Sequence, residues 1–326
     1  MKRVSMADVA ARAGVSGQTV SRVANGSPRV DPVTRERVEA AMEELGYRMH
    51  RAARALRTGR TQTIGLVAVT LATVGNSRML QAVADAAASR GYALVVVTLG
   101  ADPIDVAFER LREQGVDGAV VLNEASASAQ GADVPDDLRL VVVDAPAADR
   151  FDVVQTAHAD AAAAATRHLL ALGHPTVHHL AGPAGSFSAD ERERGWRETL
   201  NSAGVDAGEP LRGDWSAASG HLRGLELPAD ATAVFAANDQ MALGLLRALA
   251  ETGRRIPEDV SVVGFDDVMD AADYRPPLST VRQNFDALGA QAVDVLVSRI
   301  EASGVPRLLT IPAELVVRAS SGPASR

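Results

Sequence analysis

The stretch MKRVSMADVAARAGVSGQTVSRVANGSPRV (residues 1–30), continued by DPVTRERVEAAMEELGYRMHRAARALRTGR (31–60), differs in kind from everything after it. It holds 12 Lys or Arg against 6 Asp or Glu, a net charge of +6. Residues 61–326 hold 21 basic and 35 acidic residues, a net of −14. A basic head on an acidic body points to a head that meets phosphates and a body with a separate task.

Local signals divide the head into three helices. Ser5 followed by Asp8 has the form of a capping box, Val9 and Ala13 share a face, and Gly14 suits a left-handed stop. Ser16 is a good N-cap for a second helix over about 18–24, with Val20, Val23 and Ala24 inward. Asp31-Pro32 opens a third, with Pro at the first helical position, that carries Val38, Met42 and Leu45 on one face and stops at Gly46. Two short helices joined by a glycine-containing turn and closed by a third form a helix-turn-helix, whose second helix enters the major groove. Its outer face suits that task. Arg22 can pair bidentately with guanine and Gln18 with adenine, while Ser16, Thr19, Ser21 and Asn25 can hold phosphates. A small helical bundle with a merely solvated polar face has the same pattern.

The run DVAARAGVSGQTVSRVAN (8–25) resembles the headpiece of the LacI/GalR family of bacterial repressors, and so does TRERVEAAMEELGY (34–47). This long motif favours the DNA-reading alternative. The resemblance implies that position 17 reads bases. Gly17 has no side chain to read with, so an operator unlike those of relatives is expected. It also implies that RAARALR (51–57) is a hinge helix formed on operator DNA, with Leu56 wedged into a central minor-groove step and Arg51 on phosphate. By pattern alone those seven residues are a basic linker too short to be a stable helix in water. The expected organisation is a headpiece over 1–49, a hinge and linker over 50–61, and a core over 62–326.

The body alternates apolar strands with helical stretches. Strands are expected at 63–70, 92–98, 118–122, 140–144, 177–181, 233–237 and 260–265. Helices are expected at 78–90, 104–113, 159–172, 190–203, 241–252 and 287–302. Uninterrupted runs such as YALVVVT and LRLVVVD suit parallel sheets buried on both faces. The number of strands suggests two α/β lobes with a cleft between them. Polar residues end three of these strands: Asp144, Asn238-Asp239 and Asp266-Asp267. Ligands bind at such carboxyl ends, although a single Asp there is more often a helix cap or turn former.

Four further stretches resemble one sugar-binding member of the same family in particular: LAGPAGSFSADERERGW (180–196), GDWSAASG (213–220), AANDQMALG (236–244) and DVSVVGFDDVMDAADYRPPLSTVRQNF (259–285). The resemblance covers nearly the whole chain. It implies a periplasmic-binding-protein-like core, with a first lobe of about 62–157 plus 284–312 and a second of about 158–283 plus 313–320. Matched position by position, the residues expected to contact a sugar are Asp144, Ser188, Arg192, Trp215, Asn238, Asp266, Gln283 and Phe285. Carboxylates, amides and a guanidinium suit adjacent hydroxyls, and Trp215 would cover an apolar sugar face. Trp196 is expected in the core instead. Without the resemblance, Arg192 in the run DERER reads as an exposed helix charge. The first lobe departs from the pattern at Val69, Thr73, Asn76 and Leu122, and Thr156 replaces an aromatic, which is expected to enlarge the cavity.

The expected function is a sugar-responsive transcriptional repressor on a pseudo-palindromic double-stranded operator, with a purine or other metabolite as the alternative effector. A dinucleotide enzyme would carry G-x-G-x-x-G after the first strand, where only Gly65 and Gly75 occur. A glycosidase would need paired carboxylates about a scissile bond, and nothing else supports Asp144 and Asp266 in that role. His178 and His179 are adjacent in a strand and point to opposite faces, which argues against a shared metal. No cofactor is implied. Cysteine is absent, which excludes disulfides and thiolate chemistry. No apolar run approaches the ~18 residues of a membrane span and no signal-peptide core follows the N-terminus, so a soluble cytoplasmic protein is expected. Reading a pseudo-palindrome requires two heads, hence a homodimer, with helix 79–88 and the region of Tyr274 expected at the pairing surface. The run ASSGPASR after the last strand contains no heptad, so no tetramer is expected.

Overall fold

The computed structural model describes residues 4–325 apart from 25–26, 48–58, 123–124, 126–128, 130–131, 133, 136–137 and 303. Asn25, Arg51, Leu56 and most of the expected hinge lie outside the described residues. The chain forms two compact units, Met1–Thr61 and Gln62–Arg326.

In the first unit, α1 (Met6–Ala13), α2 (Gly17–Ala24) and α3 (Pro32–Glu44) follow the local signals. The capping box is reciprocal: the Ser5 hydroxyl accepts from the Asp8 amide, and the Asp8 carboxylate accepts from the Ser5 amide at 2.7 Å. Gly14 stops α1 at φ 63°, a left-handed conformation that favours glycine. Asp31 caps α3 by accepting from the Thr34 amide at 2.9 Å. Val9, Val20, Val23 and Val38 are buried together, with Ala10, Ala13 and Ala41 filling the close approaches. Burying each large apolar side chain contributes about 1.5–3 kcal/mol, which these short helices need in order to persist.

The second unit contains two six-stranded sheets. In the first, β1 (Thr63–Ala68), β2 (Ala93–Thr98), β3 (Gly118–Leu122), β4 (Arg139–Val143), β5 (Asp152–Thr156) and β11 (Leu308–Ile311) run in the order β11-β5-β4-β3-β1-β2, with every pairing parallel. Helices α4 (Val74–Ser89) and α5 (Ile104–Glu113) connect its strands, and α10 (Phe285–Glu301) packs on α4 and the sheet. In the second, β6 (His178–Ala181), β7 (Leu211–Arg212), β8 (Ala233–Ala236), β9 (Ser261–Asp266), β10 (Ser279–Arg282) and β12 (Glu314–Val316) run in the order β12-β10-β9-β8-β6-β7, with only β12 antiparallel. Its helices are α6 (His158–Ala171), α7 (Phe187–Ser202), α8 (Ala217–Gly224) and α9 (Asp239–Glu251). The chain therefore crosses between the sheets three times, at 156–158, 282–285 and 311–314.

Several expectations need correction. Strands 152–156, 279–282 and 308–311 and helix 217–224 are not evident in the sequence. DVVQT and STVR carry polar residues that meet distant partners, Asp152 with Arg299 and Thr280 with Asp239, and Ala217–Gly224 packs on α9. Helix α4 begins at Val74 rather than 78, because the Thr73 hydroxyl accepts from the Asn76 amide. One face of 79–88 packs inward: Met79, Ala82, Val83 and Ala87 are buried, the larger ones in a core shared with Leu288, Val293 and Leu296 of α10. Residues 319–325, which carry no heptad, are stitched to the second sheet. The fully buried Ser320 donates its hydroxyl to the Val262 carbonyl at 2.7 Å and accepts from the Ser279 amide at 2.7 Å.

Candidate functional site

The carboxyl ends of the parallel strands converge on a cavity with an empty volume of about 470 Å³, counted with its open mouth. All eight expected contact residues line it: Asp144, Ser188, Arg192, Trp215, Asn238, Asp266, Gln283 and Phe285. Thr73, Gly75, Met79 and Gln240 complete the wall. Asp144 follows β4, Asp266 ends β9, Asn238 caps α9 and Phe285 begins α10, so the sheet ends place them. Asp144 (φ 54°), Asp266 (φ 114°) and Trp215 (φ 73°) occupy the left-handed region without being glycine. Each such residue costs on the order of 1–3 kcal/mol, and such strain clusters where side chains must be aimed.

Arg192 decides the character of the cavity. It lies on the same face of α7 as Ser188, Gly195 and Trp196 and is only 4% exposed. Its neighbour Arg194 turns outward and pairs with Glu191 and Glu198. Arg192 is therefore not a solvated charge of the DERER run. A buried guanidinium needs partners. Nε donates to His158 Nδ1 at 3.3 Å, Nη1 donates to the Ala237 carbonyl, and Nη2 is 3.8 Å from Asp266 Oδ1. The guanidinium also lies over the Phe265 ring, 3.8 Å from its centroid, and 5.5 Å from that of Trp215.

The two carboxylates differ. Burial disfavours ionisation of Asp144, but His158, the Thr156 amide and Arg192 outweigh it and hold the carboxyl below its ordinary value. At Asp266 burial prevails over Arg192 and Gln283, and the carboxyl is lifted. Gln283 is held on both sides, donating to Asp266 at 2.7 Å and accepting from the Thr156 hydroxyl at 2.8 Å. Thr156 thus supports Gln283 from behind and is not part of the lining given above. Asn238 has a structural task as well: its side-chain oxygen caps α9 at Met241 and its amide donates to the Trp215 carbonyl at 3.0 Å. Trp215 packs its ring edge on Gly182, where a Cβ would collide with it. Trp196 is core, fully buried with Nε1 donating to the Val177 carbonyl at 2.8 Å. His179 stacks on Phe235 at 4.9 Å in that same core, and burial lowers its imidazole to about 4.

One buried group beside the site escaped the sequence, and another was noted there only as a polar residue at a strand end. His158, at the first crossing, has no signal beyond its place at a helix start. Asp239 reads as a helix-start acid but is fully buried, accepting from the Thr280 hydroxyl at 2.6 Å and the Val268 amide at 2.9 Å. Burial, reinforced by Asp266, lifts it to about 8. A raised carboxyl binds its proton more tightly folded than unfolded. Its stabilisation is complete below the ordinary carboxylate range and is lost as pH rises through about 8. Thermal melts from pH 5 to 9 should therefore show wild type declining relative to Asp239→Asn, by up to about 1.4 kcal/mol per pH unit below the lifted value. Parallel curves would remove the raised carboxyl.

In the head, Gln18 and Arg22 are exposed one turn apart on α2, with Ser21 partly buried between them. Ser16 caps the helix, accepting from the Thr19 amide at 3.1 Å, with the two hydroxyls 2.9 Å apart. A Cβ added at Gly17 would meet nothing within 4 Å, so the fold does not demand glycine there.

An exposed helix on one unit and a polar, arginine-centred cleft on the other define a transcriptional regulator with a DNA-binding head and an effector-binding body. Residues 5–49 match the bacterial regulatory proteins of the lacI family, and residues 166–321 match the periplasmic binding protein-like domain. The chain is 37% identical to the lactose operon repressor of Escherichia coli (strain K12), over 98% of this chain and 91% of that protein. Among solved structures, the Lac repressor dimer bound to operator and the anti-inducer ONPF aligns with a TM-score of 0.84 at 34% identity, over 98% of this chain and all of that one. A complex of the transcriptional regulator CelR with cellobiose aligns at 0.73 and 34% identity, over 98% of this chain and 100% of that one. The chain belongs to the lacI family of bacterial regulatory proteins. Among the described residues, no helix is long and apolar enough to cross a membrane.

Proposed function

We propose that this regulator represses transcription as a homodimer on a pseudo-palindromic operator, and that a hexopyranose or its glycoside in the cleft modulates it. The observation that carries the ligand half is Arg192, buried on the cavity wall beside Asp266 and facing Trp215. A single charge-balanced guanidinium among carboxylates, amides and one indole matches a neutral, hydroxyl-rich molecule with one apolar face. The same eight residues serve as the contact set. The structures of the Lac repressor and CelR, named with operator and with cellobiose, support both halves.

On this reading the headpiece is 1–49, the hinge 50–61 and the core 62–326, and Leu56 and Arg51 act on the minor groove and its phosphates. Pairing of the core is supported by the edge strand Ala93–Thr98, where Val96 is 40% exposed, and by Leu222, Leu225 and Leu243, which are exposed on the second lobe. Closure of the cleft alters operator affinity only if the ligand prefers one state by a few kcal/mol.

A thermal-shift panel of galactosides, glucosides, free sugars and purines tests the ligand class. A ligand at about 100 times its dissociation constant adds about 2.7 kcal/mol. Stabilisation by purines alone would replace the sugar reading. For the DNA half, operators selected from a random library should lose about 1–3 kcal/mol of discrimination at one base pair per half-site in Arg22→Ala. Equal weakening on every sequence would demote Arg22 to a phosphate contact.

A further inference from the structure

Four side chains of the cavity wall, Asp144, Arg192, Asp266 and Gln283, close a ring with two buried ones behind it, His158 and Thr156. Asp144 Oδ1 lies 2.9 Å from His158 Nε2, and His158 Nδ1 accepts from Arg192 Nε at 3.3 Å. Arg192 Nη2 is 3.8 Å from Asp266 Oδ1, which accepts from Gln283 at 2.7 Å. Gln283 accepts from the Thr156 hydroxyl at 2.8 Å, and the Thr156 amide returns to Asp144 Oδ1 at 3.0 Å. Asp144 and Thr156 lie at the first sheet's strand ends, Arg192 and Asp266 on elements of the second, and Gln283 in the crossing just after β10.

The ring therefore spans the two lobes at two points, His158 to Asp144 and Thr156 to Gln283. His158 makes the first of these without standing on the cavity wall. Nδ1 faces a guanidinium, which can only donate, and Nε2 faces the Asp144 carboxylate, which can only accept. The imidazole is 2% exposed and is held by aromatic rings, edge-on to Phe187 at 6.5 Å and tilted on Phe265 at 5.9 Å. In this position it stands between Arg192 of one lobe and Asp144 of the other.

We propose that His158 is a positioning residue of the effector cleft, joining Arg192 and Asp144 so that the two lobes hold one relation to each other. Its bearing on the effector rests on the cleft reading above. The joint itself does not.

The cysteine-free chain allows a direct test. Asp105→Cys on α5 and Asn201→Cys on α7, both exposed, place one spin label on each lobe. Labelled chains diluted in unlabelled protein report the distance within one chain by pulsed electron resonance, with no ligand added. His158→Leu should broaden the distribution and shift its mean. His158→Gln, which keeps a donor and an acceptor at similar reach, should restore it. Thr156→Val, with the same shape and no hydroxyl, should shift it the same way by opening the second bridge, and His158→Phe, which keeps a ring and loses both nitrogens, tests the joint if His158→Leu does not fold. Wild-type distributions in His158→Leu and Thr156→Val would overturn the proposal. So would a broadening in His158→Leu that His158→Gln fails to reverse, which would mark His158 as packing only. Since no sugar enters the measurement, a negative sugar panel leaves it standing, and unchanged distances beside normal sugar binding sink the joint alone.

Discussion

Arg192→Ala should abolish effector binding, lowering affinity about 100-fold or more for whichever sugar stabilises the wild type. Truncation does more than remove one hydrogen-bond donor to the ligand. It leaves Asp266, already lifted by burial, without its cationic neighbour, and leaves the Ala237 carbonyl and His158 Nδ1 without a donor. A hydrogen bond to a charged group contributes about 1.5–3 kcal/mol and each 1.4 kcal/mol is tenfold in a binding constant, so losing two such bonds to the ligand costs about 100-fold or more. The head is a separate unit, so operator binding should persist while the response to sugar is lost. Arg192→Lys should fail nearly as badly. A point charge cannot present donors to an imidazole, a carbonyl and a carboxylate in one plane. Calorimetry with the sugar identified by the panel decides the matter, and full-strength binding by Arg192→Ala would falsify the site. A melting point equal to wild type in that variant would separate lost binding from lost fold.

Gly244→Ala should be the most damaging single methyl in the body. Helices α8 and α9 meet backbone to backbone there, and a Cβ on Gly244 would collide with the Ala217 carbonyl and the His221 amide. Gly220 meets the Met241 backbone in the same way from the facing helix. Neither neighbour is the far end of a flexible side chain, so the helices must separate. Overpacking of this kind costs about 1–3 kcal/mol or more, several degrees of melting temperature. The movement would also disturb Trp215 and Asn238, which lie just before α8 and α9 and are bonded to each other. Gly75→Ala is the control: a Cβ at that helical position meets nothing within 4 Å, and alanine favours the helix. A Gly244→Ala protein as stable as wild type would mean that the two helices do not touch as described.

The head was legible because its signals are local. Capping at Ser5 and Asp31, the left-handed stops at Gly14 and Gly46, and apolar residues a turn apart act within a few positions, so a sequence window contains each cause. The apolar strands of the body were legible for the same reason, since burial on both faces leaves a continuous run of Val, Leu and Ala. Whether a charge is buried is not a local property. Arg192 sits in an acidic and basic run whose other members are partly or fully exposed, and its partners His158, Ala237 and Asp266 are 34, 45 and 74 residues away. The strands 152–156, 279–282 and 308–311 take their positions from the three crossings, which no window contains. Sequence alone determined the reading helix, the α/β alternation and, through family resemblance, the residues that meet in the cleft. Only the tertiary structure decided that Asn238 is a cap, that Asp239 lies in a dry interior, that His158 joins the lobes, and that Gly244 has no room for a methyl. Each of these depends on which distant backbone or side chain arrives alongside, and on how completely that arrival removes water.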